Sequence, residues 1–174
     1  MKGPRKAFAG FTLPELMIAI AVLAVLAGMA LPSFLQMLRN YEVRVAAESV
    51  ANGLQRARAE AVSRNASVQF VLGTNTSWTV DYVTKPVLTD PPIDARSNQE
   101  GSQNASLTPT PSTATTVTFN NLGQVIANGD ATPTLTQVDL IATQGNQNLR
   151  VTIGAGGNAR VCDPALPSTN ARAC

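Results

Sequence analysis

Residues 10–38 read GFTLPELMIAIAVLAVLAGMALPSFLQML, and from Leu16 to Leu31 the run contains no charged side chain. Sixteen residues at 1.5 Å rise give roughly 24 Å, short of a hydrocarbon core of about 30 Å. Phe11 and Leu13 before the run, and Phe34, Leu35, Met37 and Leu38 after it, extend it enough to span. The preceding segment MKGPRKAFAG carries Lys2, Arg5 and Lys6. Positive charge at that end predicts a cytoplasmic N-terminus with the bulk of the chain outside. A secretory signal cut after the apolar region also fits these data, since alanines are plentiful. That reading leaves Glu15 unexplained, because a carboxylate at the mouth of an apolar helix is costly in lipid and marks function. The bland account places Glu15 at headgroup depth, favoured by the helix dipole. Pro14 falls in the first helical turn, where its missing N–H costs nothing. Gly28 and Pro32 lie mid-helix and should bend or loosen it.

The formal charge of the 174-residue chain is +2, but this figure belongs to its first ten residues. Without them, ten basic side chains face eleven acidic ones. Total charge therefore selects no nucleic-acid partner. The chain has no His, which removes the usual general base, the His-activated nucleophiles and the commonest metal ligand. Asp90, Asp94 and Glu100 lack calcium-loop spacing. No catalytic residue, metal or cofactor is expected, and no enzyme. Cys162 and Cys174 are the two cysteines, and in an exported chain such a pair reads as one disulfide.

From Arg39 the chain turns charged but keeps helical spacing. Val43, Ala47, Val50, Leu54, Ala57 and Ala61 step by four and three along one stripe. Most are small, so a partner can pack closely. The opposite face is assigned Arg44, Glu48, Arg56, Arg58 and Glu60, a solvated surface rather than a phosphate site because acids interleave with the arginines. After Asn65 the period becomes two. Strands are expected at Ser67–Leu72, Ser77–Val83, Ala105–Thr108, Thr116–Phe119, Thr134–Ala142, Asn148–Ile153 and Ala159–Cys162. Residues 84–115 hold five prolines and read as a long surface excursion. A helix followed by strands implies an α+β class, the helix lying across an antiparallel sheet.

The sequence Gly10-Phe11-Thr12-Leu13-Pro14-Glu15-Leu16, behind a basic leader and before an apolar run, is similar to the N-terminal signature of type IV pilins and pseudopilins. The resemblance implies that a prepilin peptidase cuts between Gly10 and Phe11 and that Phe11 is N-methylated. It implies that Glu15 pairs with the N-terminal amine of a neighbouring subunit, and that the Gly28–Pro32 region partly melts in the filament. A mere kink at the membrane exit is the plain alternative. The long helix, the strand-rich domain, the Phe-x-x-x-Gly step at Phe119–Gly123 and the C-terminal hairpin resemble the GspH/FimT (FimU) class of minor pilins and pseudopilins.

On that basis the organisation expected is a leader (1–10), a transmembrane and assembly helix (11–38), an amphipathic half-helix (39–65) and a β-rich periplasmic headgroup (66–174) with a C-terminal disulfide loop. The expected fold is the pilin fold, with an inner-membrane waiting state and a later place in a pilus or pseudopilus. Its partners would be other pilins, the prepilin peptidase, the inner-membrane assembly platform and membrane lipid. The function implied is that of a minor pilin helping to prime a pilus at or near its tip, with a type II secretion pseudopilin as the alternative. A third reading is a DNA receptor for transformation, through Arg150, Arg160 and Arg172. Against it, these three arginines form a sparse set, with Asp163 beside them.

Overall fold

A computed structural model describes residues 11–174 except Pro86, Leu88 and Gln144. The leader, with Gly10, lies outside the described residues. The chain divides between Leu35 and Gln36 into two compact units. One helix, α1, runs over Leu13–Arg64.

In the first unit every described side chain is exposed, and an 18-residue window of α1 has a mean hydropathy of 2.4, long and apolar enough to cross a membrane. Pro14 is the second residue of α1, and the N–H of Leu16 donates to the Thr12 carbonyl at 3.1 Å. Helix is continuous through Gly28 and Pro32, so neither interrupts α1 in the single chain. Pro32 removes one donor, the bond to the Gly28 carbonyl, and the turns on either side hold the helical path.

In the second unit the small-residue stripe is the core. Val43, Ala46, Ala47, Val50, Leu54, Ala57 and Ala61 are all fully buried. The buried band is wider than the six-residue stripe, taking in Ser49, Ala51, Gly53 and Glu60 as well. Its width follows from what covers it, which is two antiparallel sheets where the sequence suggested one. The first contains β1 (Val68–Leu72), β2 (Trp78–Tyr82), β3 (Asp94–Arg96), β5 (Thr116–Phe119) and β6 (Val125–Ile126), in the order β3-β2-β1-β5-β6. The second contains β4 (Ala105–Thr110), β7 (Gln137–Ala142), β8 (Asn148–Ile153) and β9 (Ala159–Cys162), in the order β4-β7-β8-β9. The residues before β7 join the two. Leu135 N–H donates to the Thr116 carbonyl of one sheet, while the Thr136 carbonyl accepts from Ile153 of the other, both at 2.9 Å. This explains why β7 starts at Gln137 and not at Thr134.

The 84–115 excursion is less irregular than its prolines suggest. It holds β3, which pairs with β2, and β4, which continues through Pro109. Glu60 also departs from expectation. It is 9% exposed, bonded by Arg56 at 2.9 Å and by Arg64. Arg64 bonds the Tyr82 hydroxyl too and lies 5.4 Å over its ring. A carboxylate on the packed face is tolerable because it is paired twice. The Glu60 bond is the main reason the Arg64 guanidinium holds its proton more firmly than usual.

Gly53 shows how close the packing is. A Cβ there would lie 2.7 Å from Cε2 of Phe70 and 3.0 Å from two ring atoms of Trp78. Alanine favours a helix over glycine by about 1 kcal/mol, whereas overpacking costs about 1–3 kcal/mol. Gly53→Ala is therefore expected to lower stability despite its better propensity, read as a reduced denaturant midpoint. A raised midpoint would show that the two rings can give way.

Candidate assembly surfaces

Phe11 is 82% exposed and Glu15 lies in the first turn of α1. Among the described residues Glu15 makes no ion pair or hydrogen bond. The expected cut site is only half visible, since Gly10 is outside the described residues. What this end of the chain offers is apolar surface with one carboxylate, neither of which has a partner among the described residues.

At the start of the second unit, α1 is laced to the loops beneath the sheets. Arg39 donates to the Thr143 carbonyl at 2.8 Å. Asn40 Oδ1 accepts from the N–H groups of Asn146 and Gln147 at 3.2 and 3.3 Å, and its amide donates to Asn146 at 2.7 Å. Glu42 accepts two bonds from Asn104, both at 3.1 Å. One helical turn thus ties the β7–β8 loop and the start of β4. Nothing in a single sequence links position 40 to 146, so these residues were not singled out from it.

At the other end of the helix, Arg58 Nε donates to the Gly123 carbonyl at 3.1 Å. Gly123 and Gly157 have φ of +74° and +80°, conformations suited to glycine. A Cβ on Gly157 would lie 2.1 Å from the Gly123 carbonyl oxygen. Val125 N–H donates to the Ala155 carbonyl at 3.0 Å, so the β5–β6 and β8–β9 turns meet at Arg58. The Phe119–Gly123 step therefore brings the two sheets together.

The three C-terminal arginines are placed differently from one another. Arg150 grips Asp139 with two bonds, 2.6 and 3.2 Å, and this bonding raises its guanidinium pKa further. Arg160 donates to the carbonyls of Ala171 and Ala173, both at 2.9 Å. Arg172 lines a small cavity of about 120 Å³ with Arg44, Glu48 and Asp163. Cys162 and Cys174 form the disulfide, and Asp163 N–H donates to the Arg172 carbonyl at 2.8 Å. Closing a loop of this size contributes about 3 kcal/mol in the chain-entropy account. Arg160 and the disulfide together hold the C-terminal loop to β9.

A long helix whose second half packs on antiparallel sheets, and whose first half is bare and apolar, defines a pilin-like subunit. The comparisons agree. The family model described as type II transport protein GspH matches residues 46–157, and the prokaryotic N-terminal methylation motif matches residues 5–31. The chain belongs to the GspH family, and so to the minor pilin and pseudopilin class of structural subunits that interact with other pilins. No curated protein is significantly similar to it in sequence. In fold it is similar to the type IV minor pilin FimU of Pseudomonas aeruginosa, with a TM-score of 0.55 and 18% identity over 75% of this chain and 92% of that one. It is similar also to the minor pseudopilin EpsH from the type 2 secretion system of Vibrio cholerae. There the TM-score is 0.51, with 16% identity over 72% of this chain and 99% of that one.

Asn40→Ala should loosen the loop that it ties. A neutral hydrogen bond contributes about 0.5–1.5 kcal/mol net, so amide exchange at Asn146 and Gln147 should quicken about two- to tenfold. Unchanged exchange at both amides would mean that the loop holds itself.

Proposed function

We propose that the chain is a minor pilin of a type IV pilus, added at or near the tip, where it helps to prime assembly. The observation that carries this is the first unit, an exposed apolar helix with one unpartnered carboxylate at its mouth. Before assembly the helix sits in the inner membrane with the headgroup in the periplasm. The prepilin peptidase cuts between Gly10 and Phe11, and Phe11 is N-methylated. The assembly platform then moves the subunit from lipid into a bundle of like helices. Lipid and helix bundle cover apolar side chains about equally well, so that term changes little on transfer. Charge pairing supplies direction, because Glu15 lacks a partner alone and gains one when a neighbour's N-terminal amine lies beside it.

A second reading is a minor pseudopilin of a type II secretion system, and the description of the matched family favours it. The mechanics of the helix are shared by both. A DNA-receptor role draws less support, because of the three arginines expected to carry it Arg150 is held by Asp139, leaving Arg160 and Arg172.

Deletion of the gene, scored for surface pili in a shear fraction and for exoprotein in the medium, tests the reading. Loss of pili with normal secretion is expected. Loss of secretion with normal pili would make the chain a pseudopilin, and no change in either would remove it from both machines.

A further inference from the structure

Two open-ended sheets have four edges, and each edge is a template for another strand unless something blunts it. Three are blunted here. β3 is three residues long. β6 is two residues long, and its Val125 N–H is taken by the Ala155 carbonyl. On β4, the bond from Thr143 N–H to the Asn104 carbonyl sets the ladder parity, so the backbone groups of Ala105, Leu107 and Pro109 face away from β7. The Ala105 N–H is used by Ser102, and Pro109 has none to offer.

The edge of β9 differs. Gly154 N–H donates to the Asn158 carbonyl, and Ile153 N–H turns the other way, to Thr136. In the register Thr152↔Arg160 and Arg150↔Cys162, β8 therefore bonds Arg160 and Cys162. The N–H and C=O groups of Ala159 and Val161 face away from the sheet. Among the described residues these groups find no other backbone partner. Both side chains are only partly buried, and the strand holds no proline. Its one charged residue, Arg160, is exposed, and the C-terminal loop takes the next outward N–H, that of Asp163, so the open stretch is Ala159 and Val161. Helix α1 flanks this edge without closing it. A surface cavity of about 550 Å³, lined by Arg58, Ala59, Val62 and Ala159 among others, opens at one end. The 120 Å³ cavity, lined by Arg44, Val161 and Arg172 among others, opens at the other.

Resting on the reading of the chain as a subunit that assembles with other pilins, we propose that β9 receives an acidic extended segment of another pilin subunit as an added strand. Charge selects the occupant. Arg44, Arg58, Arg160 and Arg172 surround the edge, against the two carboxylates Glu48 and Asp163. Among the described residues Arg58 and Arg160 donate to carbonyls and form no ion pair. DNA would use the same arginines, but its phosphates would meet the outward carbonyls of Ala159 and Val161, which a peptide N–H satisfies. Exposed Val62, at 51%, lines the larger cavity and supplies apolar surface for alternate side chains of the incoming strand.

The test uses the full-length chain in cells. Ala159→Pro removes an N–H that the fold does not use, and Ala159→Val keeps it. Recovery of Ala159→Pro in sheared filaments should fall about tenfold, the effect of one lost hydrogen bond and its orphaned acceptor, with Ala159→Val recovered as wild type. A photo-crosslinker replacing Asn158 should trap another pilin subunit whether or not the proline variant folds. Wild-type recovery of Ala159→Pro, or a crosslink to nucleic acid or to nothing, would overturn strand addition while leaving the subunit reading intact. A wild-type chain absent from every filament would instead overturn the subunit reading and the proposed partner with it.

Discussion

An apolar helix that none of the described residues covers has to be covered by something else. Ten large apolar side chains between Leu16 and Leu31 are each more than half exposed. At about 1.5–3 kcal/mol each, leaving them in water would cost about 15–30 kcal/mol. That exceeds the 5–15 kcal/mol by which a whole domain is stable. Lipid and a bundle of like helices are two environments that relieve the cost, and the function proposed for the chain moves it from the first to the second. In the function proposed for the chain, Glu15 tips the balance between those environments, since a lone carboxylate is costly in either until a cation lies beside it.

The second half of α1 solves the opposite problem, binding two sheets to itself. Alanines and Gly53 keep its buried face low, so the rings of Phe70 and Trp78 approach the backbone. Among the described residues the one carboxylate on that face, Glu60, is held between two arginines of its own helix. Both ends of this half are tied by polar bonds, Arg39, Asn40 and Glu42 at one end and Arg58 at the other. Packing in the middle and hydrogen bonds at the ends keep the sheets in register with the helix.

Periodicity is a local signal, and what was local was legible. The stripe from Val43 to Ala61 is buried as spaced, and Thr116–Phe119, Asn148–Ile153 and Ala159–Cys162 are strands with those bounds. Non-local facts were hidden. The split into two sheets depends on bonds from Leu135 to Thr116 and from Ile153 to Thr136, which no spacing encodes. Asp94–Arg96 becomes a strand because β2 offers it an edge, not because Asp-Ala-Arg favours one. Acids interleaved with arginines predict a solvated Glu60, and pairing with two of those arginines is what lets it be buried instead. Among the arginines, only the register Asp139↔Arg150 reveals that Arg150 is already engaged.

The most direct measurement of the central claim is incorporation of Glu15→Ala and Glu15→Asp chains, expressed alongside the wild-type neighbouring subunits, into sheared filaments. If pairing of Glu15 with a neighbour's amine drives transfer out of lipid, Glu15→Ala should stay in the membrane fraction while Glu15→Asp is recovered in part. Equal recovery of Glu15→Ala and wild type would contradict that account, leaving the carboxylate as no more than a helix-end charge at the membrane surface.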